Sequence, residues 1–251
     1  MRPKITALAI TLNEVINVER YVKHLDFADE VIFIDSFSTD DTVKLATELG
    51  VSVIQRKFDD FSSQRNFAIS QASHDWIVFF DLDEIVTPEL GVEIREVVSE
   101  SNDYAAYKVR RNFYFFGKHI KYGGWQSDKV IRVFNKHKCN YNGNLVHEGI
   151  VTNGKVKQLK NRIDHYSYKS FDNYNQKLNL YSSLQAEALY AEKVKPNAYH
   201  FLIRPCYRFF WQYIYRLGVL DGKEGFVLAY IHSFAVFKRY LQLWMKYRKI
   251  N

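Results

Sequence analysis

Three carboxylates within four positions, Asp81, Asp83 and Glu84, close an apolar run from Trp76 to Phe80. Such a run reads as a buried strand, and open α/β sheets bind their ligands at the C-terminal edge of their strands. Hard oxygen ligands this closely spaced suit a divalent cation that holds a diphosphate. The same acids could instead form the acidic N-terminus of a helix, because Pro88-Glu89 opens a helical stretch soon afterwards. Two further residues have chemistry to offer. Asp35 ends another apolar run, where a carboxylate could accept from a base or ribose, or merely initiate a turn. Arg65, in Gln64-Arg65-Asn66, could face a phosphate or be a solvated helix residue.

The elements that must position these residues alternate in type. Strands are expected over 5–11, 31–35, 51–54 and 76–80. Between them fall helical stretches over 14–25 and 40–49, and a third that Ser62 or Ser63 caps and that runs through Ala72. This rhythm predicts an α/β fold with a mostly parallel central sheet and right-handed crossovers. Its strand ends would gather Thr11, Asn13, Glu14, Asp35, Arg56 and the acidic cluster on one edge. Beyond residue 100 the texture changes. Residues 104–116 and 129–134 alternate like strands, with Gly123-Gly124 between them, and Asp172 to Ala191 reads as a helix. A catalytic domain over 1–199 and a helical extension over 200–251 are expected.

The 251 residues carry a formal charge of +7, and 47% are hydrophobic, so a globular core is expected and disorder is not. Residues 200–251 hold nine Lys or Arg against Asp221 and Glu224, so the basic excess is local. Cys139 and Cys206 form no Cys-x-x-Cys, which argues against a disulfide framework or a structural zinc site. The apolar stretch after Met1 is too short for a signal peptide, and no run approaches the roughly 20 apolar residues of a spanning helix. A cytoplasmic protein is expected. Neither Gly-x-Gly-x-x-Gly, nor a phosphate-binding Gly-x4-Gly-Lys, nor Gly-x-Ser-x-Gly occurs, which lowers the dinucleotide, P-loop and hydrolase readings.

Four ordered motifs narrow the field: Thr11-Leu12-Asn13-Glu14, the stretch from Val31 through Asp35 to Thr42, Gln64-Arg65-Asn66 with the Phe61-Ser62-Ser63 before it, and Asp81-Leu82-Asp83-Glu84. Together they resemble the family 2 glycosyltransferases of the GT-A fold. Leu145-Val146-His147-Glu148 and the segment from Leu220 to Phe226 look like the branch of lipopolysaccharide-core β-1,4-glucosyltransferases. The resemblance implies a nucleotide-sugar donor, commonly UDP-linked and here UDP-glucose, with inversion at the anomeric carbon. Thr11, Asn13 and Glu14 match the first nucleotide-binding loop, Asp35 the carboxylate near the base, and Arg65 a donor-site basic residue. Asp81 matches the member of the acidic pair near the ribose, and Asp83 the one on Mg2+ or Mn2+. Glu148 matches the late acidic position and is the candidate base; Glu84 is the runner-up, beside the metal and orienting the sugar. His165 is a candidate late metal ligand. Trp125 and Gln126 could form an acceptor platform or belong to the core. The processive synthases of the family carry a Gln-x-x-Arg-Trp motif and membrane spans, both absent here, so addition of a single sugar to a glycolipid or oligosaccharide acceptor is favoured.

In the tail, positions 226, 230, 234, 237, 241 and 244 share one helical face that is largely aromatic, set among basic residues. That composition suits an interfacial amphipathic helix at the inner face of the cytoplasmic membrane. Packing on the catalytic domain, or on the second subunit of a homodimer, is the alternative. Nucleic acid is not an expected partner. Two further function classes stay open: a nucleotidyltransferase acting on a sugar phosphate, whose glycine-rich loop is missing, and a non-catalytic glycan- or lipid-binding module.

Overall fold

The computed structural model describes residues 2–100, 103–143, 149–167 and 171–250. It divides into two units, residues 1–111 with 128–165, and residues 112–127 with 166–251. In the first unit β1 (Ile5–Thr11), α1 (Val15–Lys23), β2 (Glu30–Asp35), α2 (Thr42–Glu48), β3 (Ser52–Gln55), α3 (Phe61–Gln71) and β4 (Trp76–Phe79) follow the expected alternation. Their strands pair in parallel in the order β3-β2-β1-β4. Parallel strands covered on both faces must be apolar on both faces, and Ile5, Ala7, Leu8 and Ala9 of β1 are all fully buried. Successive side chains alternate between two cores, Ile5, Ala7, Phe33 and Val78 in one, Leu8, Ile32, Ile34 and Ile77 in the other. Helix α3 is capped by Asp60 rather than by a serine. Asp60 is extended and its carboxylate accepts from Ser63 N–H, as a strong acceptor at this position should.

The remainder of the unit extends the parallel part into a larger mixed sheet, as an α/β fold allows. It adds β5 (Glu84–Val86), α4 (Pro88–Ser99) and β6 (Tyr104–Phe115), from which the chain enters β7 (Lys118–Ile120) of the second unit before returning in β8 (Lys129–Asn135). A short ribbon of β9 (Cys139–Tyr141) and β10 (Ile150–Thr152) precedes β11 (Lys155–His165). The pairs β4–β8, β8–β6 and β11–β5 are antiparallel. Antiparallel neighbours need no crossover helix, so the strand–helix rhythm that marks the first half is absent from this one.

The second unit contains α5 (Phe171–Ala191), α6 (Arg204–Phe210) between π-helical segments Tyr199–Ile203 and Trp211–Tyr215, and α7 (Gly222–Arg248). Helix α7 packs on both α5 and α6, so the boundary expected at 199 falls inside this unit. Gly225 is required here, since a Cβ would lie 1.9 Å from the Gly218 carbonyl oxygen. Buried Asp221 accepts from the N–H groups of Lys121 and Tyr122. On α7, Leu228, Ala229, Tyr240 and Leu243 are buried, whereas Phe226, Tyr230 and Phe234 of the expected interfacial face are exposed. Among the described residues no helix is long and apolar enough to cross a membrane.

One buried titratable group bears on the stability of this unit. His232 Nδ1 lies 2.7 Å from Gln212 Oε1 and Nε2 lies 2.7 Å from the Tyr174 hydroxyl. A neutral ring that donates from Nδ1 and accepts at Nε2 satisfies both partners. Burial, reinforced by the Arg208 charge, pushes its pKa down to about 3. The unfolded chain takes up this proton near pH 6.5 and the folded chain does not, so stability must fall as the pH drops below 6.5. Between pH 6.5 and 5 the expected loss is about 2 kcal/mol, and urea unfolding of His232→Gln should lack that increment of pH dependence.

Candidate active site

The acidic cluster is a turn that closes on itself. Glu84 N–H donates to the Asp81 carbonyl at 2.8 Å, and Asp81 N–H donates to Glu84 Oε2 at 3.2 Å. Leu82 is buried beneath it. Helix α4 begins only at Pro88 and is capped by Thr87, whose hydroxyl accepts from Leu90 N–H. Strand β5 separates the acids from that helix, so they do not cap it.

Guanidinium groups neutralise two of the three acids. Arg132 Nη2 donates to Asp81 Oδ2 at 2.5 Å and to Glu84 Oε1 at 2.7 Å. Arg65 Nη2 holds the other Asp81 oxygen at 3.0 Å. Arg111 forks onto Asp128 at 2.8 and 3.0 Å and reaches Glu84 Oε1 at 3.3 Å. Burial alone would raise the Asp81 pKa, but Arg132 and Arg65 outweigh it and hold the carboxyl far below the usual range. Burial likewise opposes the charge on Arg132, and Asp81 and Glu84 override it. Both effects require the low-dielectric surroundings in which close ion pairs are strong.

Arg132 owes its aim to a bulge. On the β6 side, Tyr107 pairs with Val133 and Lys108 with Ile131, which leaves Arg132 as the extra residue of β8. Bulges of this kind re-aim a side chain and are frequent beside functional sites. Sequence reasoning missed Arg132, Arg111 and Asp128. A signal was present, because Val130-Ile131 and Val133-Phe134 flank Arg132 as apolar pairs and so break the period of two. Tyr21, also missed, is buried and donates to the Phe80 carbonyl at 3.1 Å, which fixes α1 against the end of β4.

Asp83 is treated differently by its surroundings. Its Oδ1 is buried with no hydrogen-bond partner, and His165 Nε2 lies 3.5 Å from Oδ2. The pairing of β11 with β5 sets His165 opposite Glu84 and thereby beside Asp83. No cluster of three or more His, Cys, Asp or Glu that could hold a metal occurs among the described residues. A carboxylate with an orphaned oxygen beside one imidazole fits a cation that takes most of its coordination from a phosphate ligand and water.

The remaining expected residues divide by exposure. Thr11 and Asp35 are buried at the ends of β1 and β2. Asp35 accepts from the hydroxyls of Thr11 and Ser38, from Ser38 N–H and from Gln55, so it organises the loop. Asn13, with φ of 55°, binds Ser38 through its N–H and Thr39 through Oδ1. Glu14 N–H donates to Thr42, and its carboxylate accepts from Asn17. The loops after β1 and β2 are thus stitched together. Arg56, after β3, forks onto Asp59 and donates to Gln64. Glu84, expected beside the sugar, is fully buried with both oxygens engaged; no face of it is left for a ligand. His147 and Glu148 lie outside the described residues. Trp125 and Gln126 belong to the second unit, where Trp125 stacks on Phe113 at 3.8 Å and Gln126 accepts from Gly124 N–H.

Comparison with known proteins gives the family. The model of Glycosyl transferase family 2 matches residues 6–153. An uncharacterized glycosyltransferase of Rickettsia felis is 32% identical over 259 residues, covering 96% of this chain and 89% of the relative. The lipopolysaccharide core biosynthesis glycosyltransferase LpsC of Rhizobium meliloti is 25% identical, covering 96% and 95%. Among solved structures, a mannosyltransferase from Pyrobaculum calidifontis in complex with GDP-Man and Mn2+ aligns over 98% of this chain and 88% of its own. Its TM-score is 0.55 at 13% identity, a likeness of fold alone.

If Arg132 is the keystone of the cluster, removing it leaves Glu84 buried against a weaker partner. Arg132→Met should destabilise the protein by about 3 kcal/mol in urea unfolding. Arg132→Lys keeps the charge but loses the planar, weakly hydrated guanidinium and should recover only part of this. A loss no larger than that of an ordinary surface substitution would refute the assignment.

Proposed function

The chain belongs to the family 2 glycosyltransferases, and from that premise we propose that it transfers one sugar, glucose from UDP-glucose, with inversion onto a lipopolysaccharide-core acceptor. The observation that carries the reading is the difference between Asp81, saturated by Arg65 and Arg132, and Asp83, left with a buried unpaired oxygen beside His165. The similarity to LpsC supports the acceptor class.

In this reading the stitched loops after β1 and β2, with Thr11, Asn13, Glu14 and Asp35, form the nucleoside seat. Asp81, fixed by two guanidiniums, orients the ribose, and Arg65 adds positive charge towards the phosphates. Glu84 positions Arg132 and Arg111 and does not itself touch the sugar. Asp83 and His165 would hold Mg2+ or Mn2+, which supplies charge neutralisation for the departing diphosphate. An acceptor hydroxyl oxygen bonds to the anomeric carbon on the face opposite the diphosphate. The carbon–oxygen bond to the diphosphate breaks as it does so, and Glu148 takes the hydroxyl proton. The products are the extended glycan and UDP. A nucleotidyltransferase would release pyrophosphate instead.

Release of UDP from a panel of UDP-sugars, with a lipopolysaccharide-core acceptor, tests the reading. EDTA should abolish it. Asp83→Ala and Glu148→Gln should each retain below about 1% of wild-type kcat. Undiminished activity in EDTA would remove the metal role from Asp83 and His165.

The exposed aromatics of the second unit support peripheral association with the inner membrane. Phe210 and Ile214 are 60% and 54% exposed in a segment rich in Arg and Lys. Such a surface gains from both apolar insertion and anionic lipid. The chain should float with phosphatidylglycerol-containing vesicles and not with neutral ones, and the double variant Phe210→Asp, Ile214→Asp should remain in the dense fraction. Flotation of that variant at the wild-type level would count against the membrane reading.

A further inference from the structure

Arg204 and Arg208, one turn apart on α6, and Arg239 on α7 line a single cavity of about 460 Å3 within the second unit. Ser182 and Gln185 of α5 complete its polar wall, and no carboxylate lines it. Arg65, Arg111 and Arg132 of the first unit are each matched by acids. No acid is paired with half-buried Arg208 or Arg239, or with the exposed Arg204 at the cavity mouth. Arg239 Nε is buried with no hydrogen-bond partner. Arg204 Nε donates to the Tyr240 hydroxyl at 3.2 Å, which occupies one of its five donors. Arg208 Nη2 reaches His232 Nδ1 only at 3.5 Å, a weak contact that leaves its remaining donors for a ligand.

Electrostatics agree with the geometry. Burial pulls the Arg208 and Arg239 guanidiniums below their ordinary values, and the charges of Arg204 and Arg208 act on Arg239 in the same direction against the Tyr240 hydroxyl; Arg204, hydrogen-bonded to Tyr240, is instead held above its ordinary value. Forked donors in a partly desolvated cavity with no counter-ion are matched to a tetrahedral oxyanion, whose oxygens can accept from several guanidiniums at once. The cavity exceeds what a bare phosphate needs. Its remaining walls include Leu178, Val236 and the half-exposed Tyr207, which suits an organic group attached to the anion.

We propose that this cavity binds a phosphate-ester anion, through Arg204, Arg208 and Arg239. The site lies outside the proposed transfer chemistry and does not depend on it. Two sources share this chemistry, a soluble phosphate ester and the headgroup of an anionic lipid, and the test separates them. Glycerol 3-phosphate binding is measured by calorimetry in EDTA at constant ionic strength. Binding to phosphatidylcholine vesicles with and without phosphatidic acid is measured by flotation.

The wild type is expected to bind at least one of these probes. Arg208→Met with Arg239→Met should lose at least about tenfold of that binding, whereas Lys44→Gln with Lys155→Gln, exposed basic residues outside both the cavity and the basic tail, should change it less than twofold. Binding of glycerol 3-phosphate identifies a soluble ester; binding of phosphatidic acid vesicles alone identifies the headgroup. Because the double variant removes unpaired buried charge, its melting temperature should not fall below that of the wild type in phosphate-free buffer. If it fails to fold, Arg239→Gln decides by the same criterion. Absence of binding to both probes, or equal losses in the two double variants, overturns the proposal. UDP release is assayed separately, so this outcome leaves the transfer reading untouched.

Discussion

Arg132 reaches Asp81 and Glu84 from a strand antiparallel to β4, and this bridge joins the two halves of the sheet at the point where the acids emerge. A buried carboxylate as enclosed as Glu84 costs several kcal/mol unless its charge is matched and its lone pairs are filled. Arg132, Arg111 and the Asp81 N–H together meet that demand. The consequence reaches outward in order. Glu84 fixes the turn, the turn fixes Asp81 and Asp83, and the pairing of β5 with β11 brings His165 to Asp83. The parallel half of the sheet supplies the loops after β1 and β2, but those loops are held by hydroxyls and one buried carboxylate rather than by ion pairs.

What could be read in the sequence follows from which forces leave a local trace. The parallel strands were legible because burial on both faces writes a continuous apolar run, and crossover helices punctuate it. The acids at the end of β4 were legible for the same reason, as charge that interrupts such a run. The antiparallel half is legible only in part, since β6 and β8 alternate as strands should whereas β5 and β11 leave no such trace. Strand β11 is largely exposed over Lys155–Lys160 and has few apolar residues to mark it, and β5 is only three residues long. Both are held in place by partners distant in sequence. Asp60 as the cap of α3 was overlooked because two serines follow it, although a carboxylate in extended backbone is at least as good an acceptor.

The candidate site shows the same limit more sharply. Sequence reasoning brought together Asp35, Arg65, Asp81, Asp83 and His165 as chemistry-bearing residues, and the fold assembles Arg65, Asp81, Asp83 and His165 around one turn. It could not tell which of them face a ligand. That distinction depends on Arg132, whose aim comes from a bulge, and on Arg111, which approaches with Asp128 already in its fork. An arginine within an alternating strand looks like a solvated residue until its register is known. Hence Glu84, one residue from Asp83, looks in the sequence like a ligand-facing acid although guanidiniums enclose it.

The charges in the cluster explain why Asp83 is the exception. Among the described residues, Asp81, Glu84 and Asp128 face Arg65, Arg111 and Arg132, three against three, and Asp83 stands beside them as a fourth acid. One negative charge is left over. Asp81, Glu84 and Asp128 each hold a guanidinium, and Asp83 faces an imidazole instead. If the excess sat on Asp81 or Glu84, it would be shared between two guanidiniums and hard to reach. On Asp83 it sits on a carboxylate that is 26% exposed, with one oxygen lacking any partner. A nucleoside diphosphate brings further negative charge to such a place, and the two anions repel unless a cation lies between them. The arginine framework therefore does more than stabilise the turn. Among the described acids of this cluster it leaves Asp83 alone without a guanidinium, which is why the proposed cation and diphosphate are assigned there.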